Sequence, residues 1–267
     1  MDWSRAKSYL ILTFLLLDIV MGYQYWRIRS EQAGYVQSYS EQLAEVKQLF
    51  ASQNWKLQTE VPKDTPELGL LHVKRQSVDT EAGKEPTQAG GTVLYKDEAE
   101  IRVSLNNPVS LDFEEAAAGD KVGSLMAAKI RSDADYRFDR KTPYGKGSGF
   151  LRYLPWYEGY PIFSAPLDVY VQDNQVTQYR QTLLAVIGEG GTKKQVLSSV
   201  HALRSLSESI DKFGRRSDNR VIRDIRLGYY SKPFHTEEWF LAPVWRIESD
   251  QEIFYVNALT GEVEMEH

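Results

Sequence analysis

The chain has 267 residues and no cysteine, with 32 lysines and arginines against 37 aspartates and glutamates for a net charge of -5. Its length allows one large domain or two small ones with real cores, and the absence of cysteine leaves the redox compartment open. No basic block that could grip a phosphate backbone occurs, which argues against nucleic acid as a partner.

From Ala6 to Trp26 the chain reads as one membrane-spanning helix. A helix of that length rises about 31 Å, the thickness of a hydrocarbon core. Leu10, Ile11, Leu12, Phe14, Leu15, Leu16, Leu17, Ile19 and Val20 fill it, and Trp3, Tyr23, Tyr25 and Trp26 place rings near both ends, where amphipathic aromatics settle. No small-x-small cleavage pattern follows Met21, so an anchor is expected rather than a removed signal peptide. Basic residues flank both ends, and the short stub before the span favours an inside N-terminus. Asp18 stands within the span, where an ionised carboxylate costs about 2.5–3.5 kcal/mol on insertion scales. An acid kept there is a functional-site candidate whose partner has to be sought.

Next, Tyr35, Tyr39, Leu43, Val46 and Phe50 recur at three- and four-residue steps and predict an amphipathic helix. Two prolines in 61–66 break it, and Leu68 to Val73 reads as a strand. Polar residues from Val78 to Gly91 predict a loop; Thr92–Tyr95 and Glu100–Leu105 predict a hairpin; Phe113 to Arg131 returns to a helical period. Beyond Asp133, Phe150–Trp156, Ile162–Val171 and Val176–Ile187 read as strands, with a tight turn at Gln172–Gln175 and a flexible joint at Gly188–Gly191. Thr192 is the expected N-cap of a helix burying Val196, Val200, Leu203, Leu206 and Ile210, with Gly214 available as its terminator. Val221–Tyr230, Trp239–Ile247, Ile253–Val256 and a short strand after Gly261 complete an α+β pattern.

The constellations that could carry chemistry mostly resolve into structure. The four histidines are scattered without metal-ligand spacing, so neither a metal nor a cofactor is expected. The run Gly145–Gly149 lacks the Walker spacing and reads as a mobile loop. Asp133, Asp135 and Asp139 alternate like a calcium loop, but Phe138 stands where such a loop needs glycine, so a solvated turn is expected. The pairs Glu114–Glu115 and Glu237–Glu238 point in diverging directions, and no catalytic set emerges. The aromatic residues from Tyr229 to Tyr255 read as core and cross-strand pairs.

Two stretches carry a resemblance. Leu241-Ala242-Pro243-Val244-Trp245-Arg246-Ile247, followed by Ile253 to Val263 with its Thr260-Gly261 turn, resembles the strand–turn–strand ending of PepSY-like domains. Together with the opening Met1 to Lys7, Leu17-Asp18-Ile19 inside the span, and Leu227-Gly228-Tyr229-Tyr230, the chain resembles the YycI (WalI) family over essentially its full length. That resemblance implies a non-enzymatic, single-pass protein of the cell membrane: a cytoplasmic stub at 1–5, a transmembrane helix at 6–26, and an extracytoplasmic α+β ectodomain. The ectodomain would consist of two related subdomains, 27–157 and a PepSY-like 158–267, each an antiparallel sheet with packed helices. The implied partners are the bilayer, the sensor histidine kinase WalK (YycG) that controls cell-wall metabolism, and YycH, with contact made largely between transmembrane helices. The implied contact face is Asp18 with Phe14, Ile11, Met21, Gly22 and Tyr25, each three, four or seven residues from it. An anchored cell-wall enzyme and a PepSY-like inhibitor of an extracellular peptidase are the alternative readings.

Overall fold

The computed structural model describes residues 14–15, 17–23, 38–76, 91–96, 100–114, 135–213, 219–232 and 236–266. The chain divides into two units, Met1–Gln48 and Leu49–His267. In the first, residues 17–23 are helical, as are 14 and 15. Among the described residues no helix is long and apolar enough to cross a membrane; positions 6–13, 16 and 24–26 of the expected span lie outside them.

Helix α1, Tyr39–Ser52, is opened by a capping box. The Ser38 hydroxyl accepts from the Glu41 N–H at 3.4 Å, and the Glu41 carboxylate accepts from the Ser38 N–H at 3.0 Å. Val46 and Phe50 are its buried positions. Asn54, at φ 63°, turns the chain out of the helix, a conformation asparagine tolerates better than most residues.

The strands then follow in chain order. β1 (Trp55–Leu57) and β2 (Glu67–Arg75) belong to the first sheet. The chain next builds the second sheet from β3 (Gly91–Lys96), β4 (Glu100–Ser110), β5 (Asp135–Gly145), β6 (Ser148–Tyr157), β7 (Tyr160–Pro161), β8 (Leu167–Gln172) and β9 (Gln175–Thr182). It returns to the first with β10 (Leu184–Gln195), helix α2 (Ser199–Ser209), β11 (Arg220–Tyr230), β12 (Glu238–Ser249), β13 (Ile253–Asn257) and β14 (Val263–Met265). The first sheet runs β1-β11-β12-β13-β14, with β2 joining β12 and β10 joining β2; the second runs β3-β4-β9-β8-β6-β5, with β7 beside β6. Pairing is antiparallel apart from β1 on β11. Alternation along the strands sends Ile101, Val103, Leu151, Tyr153, Val169 and Val171 to one buried face of the second sheet. Helix α2 packs on the first sheet, burying Val200, Leu203 and Leu206, while the Trp245 indole N–H donates to the Leu197 carbonyl at 2.8 Å.

Most expected elements are present, among few helices. The Thr92–Leu105 hairpin is β3–β4, and the Gln172–Gln175 turn joins β8 to β9 with Asp173 and Asn174 at φ 51° and 59°, the twist that two-residue hairpin loops require. Four expectations are corrected. The strand expected over Val176–Ile187 is two strands in different sheets, parted at buried Leu183. Gly188–Gly191 is no joint: it lies within β10, pairing with β2 across register shifts at Val186/Gly188 and Gly190/Lys194. Thr192 therefore sits in a strand, and the N-cap of α2 is Ser198, whose hydroxyl accepts from the His201 N–H at 3.2 Å. Ile162 makes only an isolated bridge to Tyr229 before a turn that precedes β8. The loop expected over Val78–Gly91 has only Gly91 among the described residues, where it opens β3, and the helix expected from Phe113 has only its first two residues described.

Gly261 closes the last hairpin at φ 78°, donating its N–H to the Asn257 carbonyl at 2.8 Å, while the Asn257 carboxamide accepts from the Leu259 and Thr260 N–H groups. A Cβ there would lie 3.3 Å from the Ser205 hydroxyl and 3.5 Å from Leu197, so backbone angle and space both favour glycine. Gly261→Val is expected to cost about 1–3 kcal/mol through strain at this angle. Chemical denaturation checks it, and an unchanged midpoint would refute it.

Candidate functional site

Four of the six residues on the expected contact face fall among the described helical positions: Phe14, Asp18, Met21 and Gly22. Ile11 and Tyr25 lie outside them. The 3.6-residue period puts the four on one side of the helix, with Asp18 at its centre. Phe14 and Met21 are 58% and 61% exposed, and a Cβ built on Gly22 meets no atom within 4 Å. Among the described residues this side of the helix combines large apolar side chains, a carboxylate and a glycine, all of them exposed.

Two buried ion centres stand out among the described residues of the second unit. Asp139, expected in a solvated turn, is instead in β5 and only 1% exposed. Arg246 of β12 grips it with both Nη atoms at 2.8 Å, and Arg226 of β11 adds a bond of 3.1 Å. The Arg246 fork continues to Asp224 at 3.0 Å, and its guanidinium lies 4.7 Å from the centre of the Phe163 ring. Burial alone would raise the Asp139 carboxyl, but the hydrogen bond and charge of Arg246, then Arg226 and Arg140, outweigh it and hold the group below the usual carboxylate range. In the second centre, Asp168 of β8 receives Arg152 at 2.7 and 2.9 Å and Arg180 at 2.7 Å. Burial again works against ionisation there, and the two arginines again depress the pKa. Carboxylates so saturated are anchors: neither is poised to exchange a proton near neutral pH.

The other sequence candidates are not drawn together. Glu114 pairs with Lys141 at 2.7 Å, and Glu115 lies outside the described residues. Glu238 meets His72 at 3.1 Å, whereas Glu237 only accepts the Arg75 N–H through its carbonyl. Asp133 also lies outside the described residues, and Asp135 pairs with Arg137 on the surface. Gly145–Gly149, expected to be mobile, forms the β5–β6 hairpin, with Gly147 at φ 66°. No group of three potential metal ligands converges among the described residues. Most of the aromatic residues are core: Tyr229, Trp245, Phe254 and Tyr255 are buried, while Phe240 is exposed and stacks on His72 at 4.6 Å. Sequence reading missed a cleft of about 190 Å³ floored by Tyr230 and Tyr255, whose rings stack at 3.7 Å. Burial and then the charges of Glu266 and Glu264 push the Tyr230 phenol up to about 12, so it stays a neutral hydrogen-bonding group.

Comparison with known proteins gives the family. The family model described as YycI protein matches residues 33–259. No curated protein matches. Among solved structures, an uncharacterized protein from Eubacterium rectale ATCC 33656 superposes with a TM-score of 0.52 at 11% identity, covering 87% of this chain and 100% of its own. That likeness shows the fold. The Bacillus megaterium YpeB C-terminal domain gives a TM-score of 0.40 at 12% identity, covering 84% of this chain and 97% of its own.

The Asp139 centre yields a test in acid. Its folded pKa lies below the ordinary value near 3.8, so its contribution to stability is fully present above that pH and is lost as pH falls below it. Asp139→Asn should cost about 3 kcal/mol at neutral pH, the lower end for a broken buried pair because Asp224 still faces Arg246. It should also lose less further stability than the unmodified chain between pH 5 and pH 3, both values chosen to bracket ~3.9. Urea denaturation at the two pH values reads this directly, and parallel losses in both proteins would contradict it.

Proposed function

Because the chain belongs to the YycI family, we propose that it is a non-enzymatic, membrane-anchored regulator of a WalK (YycG) sensor histidine kinase, acting with YycH through contacts between membrane helices. The family match over residues 33–259 carries this reading, since membership suggests a regulator of the WalK/YycG system and the family is associated with membrane-anchored regulators. The match begins beyond Asp18, so the helix contact rests on the residues themselves: an acid inside an apolar run, flanked on its own face by Phe14, Met21 and Gly22. In this reading Ile11 and Tyr25 extend the same face by one turn each way, the N-terminus is cytoplasmic, and the folded second unit is extracytoplasmic.

The mechanism follows from linkage. A helix that binds one state of the kinase membrane domain better than another shifts that equilibrium by its differential affinity, and by nothing else. A carboxylate in hydrocarbon gains most when it meets a donor on a neighbouring helix, and Gly22 lets that neighbour come close. The ectodomain's part is to hold the helix in position and engage YycH.

Asp18→Leu should weaken association with the kinase or with YycH by about 0.6–2 kcal/mol, the range for polar contacts between membrane helices. Membrane insertion should survive, because removing the charge eases it. Val20→Ala, two positions away on the other side of the helix, should leave association unchanged. In-membrane crosslinking of the three proteins, with kinase output read alongside, checks the ranking; equal crosslinking by Asp18→Leu and the unmodified chain would place the contact elsewhere.

A further inference from the structure

We propose that the face of the second sheet bearing Phe150, Arg152 and Tyr170 binds an anionic polysaccharide, its sugar rings on the aromatic residues and its carboxylates on Arg180 and Arg102. The strand register carries this. Arg152, Asp168, Arg180 and Arg102 stand directly opposite one another across β6, β8, β9 and β4 and therefore share one face. With strands about 4.8 Å apart, that ladder spans roughly 14 Å. Asp168 is consumed by Arg152 and Arg180. Arg102 then faces Arg180, a like-charged cross-strand pair that is unfavourable by itself, and its buried Nε has no acceptor among the described residues. Glu100 on β4 acts on Arg180, and Glu266 acts on Arg152 at the far end of the ladder. Among the described residues Arg102 makes no ion pair, so the positive charge left without a described partner lies there. A carboxylate laid there supplies acceptors and removes the repulsion.

Two residues along each strand, about 7 Å away, runs a parallel row. Phe150 is opposite Tyr170, which is opposite Gln178, which is opposite Ser104. Tyr144, 68% exposed, extends the row beyond Phe150, with ring centres 5.9 Å apart at both the Tyr144–Phe150 and Phe150–Tyr170 steps. The polarised C–H face of a pyranose ring lies well on the electron-rich face of such rings. Gln178 and Ser104 offer an amide and a hydroxyl to ring hydroxyls. The separation of the rows matches a sugar ring on one and its carboxylate on the other, and the breadth of the face suits an extended polymer. A bare phosphate would use the arginines and leave the aromatic row idle.

The test uses the full chain in detergent micelles, with oligogalacturonate as the acidic glycan, dextran as the neutral one and polyphosphate as the sugar-free anion, each titrated by calorimetry. Oligogalacturonate should bind with an affinity that falls as salt is added, and more tightly than either control. Arg102→Gln and Tyr144→Ser should each lower that affinity about tenfold, as expected for losing one charge-assisted or one stacking contact. Lys74→Gln, on the other sheet, should leave it unchanged. Tyr144 is exposed, so its variant keeps the fold, and circular dichroism verifies this for both. Absence of oligogalacturonate binding, equal binding of dextran or polyphosphate, or full affinity in Arg102→Gln would overturn the proposal.

Discussion

The bidentate grip of Arg246 on Asp139 is the constraint that relates the two sheets, because it joins the middle of β5 in one to the middle of β12 in the other. Both groups are almost completely buried, Asp139 at 1% and Arg246 at 3% exposure, so neither can fall back on water if the other is displaced. Burying two charges costs several kcal/mol each, and the mutual attraction is not guaranteed to repay it with a surplus. What it does enforce is register. Asp139 must meet the fork of Arg246 with Arg226 beside it, and a slip of one residue in β5 would send the carboxylate to the opposite face and leave the two guanidinium groups competing for Asp224. An apolar contact would tolerate such a slip far better. Leu154 and Phe163, which pack against Val244, Ile253 and Tyr255 nearby, supply apolar burial without that selectivity.

This division of labour fits the path of the chain. The first sheet is started by β1 and β2, abandoned for the whole of the second sheet, and completed only after β10. Its central strand β12 meets β2, far earlier in sequence, along Leu71–Lys74. Pairings of such sequence separation carry a loop-closure cost before they return anything, so specificity in the final docking matters more than it would for a chain of local hairpins. The crossing itself occurs at Leu183, where β9 ends in one sheet and β10 begins in the other. β10 then runs along the edge of its sheet with glycines, register shifts and exposed Glu189, Lys193 and Lys194, features that blunt an edge against pairing with other chains.

What could be read from the sequence follows the range of each signal. Local periodicity gives the buried positions of α2, the β3–β4 hairpin and the four C-terminal strands, all set by neighbours within a few residues. The failures share a cause. Asp139 looked like one of three alternating acids in a turn, and the partner that makes it a buried anchor lies 107 residues away. No local feature marks Leu183 as a change of sheet, because strand periodicity is the same on both sides of it. Gly188, Gly190 and Gly191 suggest flexibility when taken locally, yet a strand can hold glycine where another group needs the room: a Cβ on Gly190 would come within 2.5 Å of the Phe240 ring. The candidate helix face was legible because it depends on one period and one out-of-place charge, whereas the arginine ladder of the second sheet appears only once four strands are in register.

The placement of charge also separates scaffold from surface. Arginines at the sheet junction are matched by Asp139, Asp224 and Glu248, which makes that region electrostatically closed. A closed network of this kind has its charges spent on one another, and so it serves to fix position within the fold. Charges without such a match among the described residues lie elsewhere. Asp18, on a helix whose described side chains are all exposed, is one, and Arg102, facing another arginine across a strand, is a second. Within the second unit, an internally neutralised junction is the arrangement in which a contact made at Arg102 would be felt as a defined shift in position and not dissipated in side-chain rearrangement.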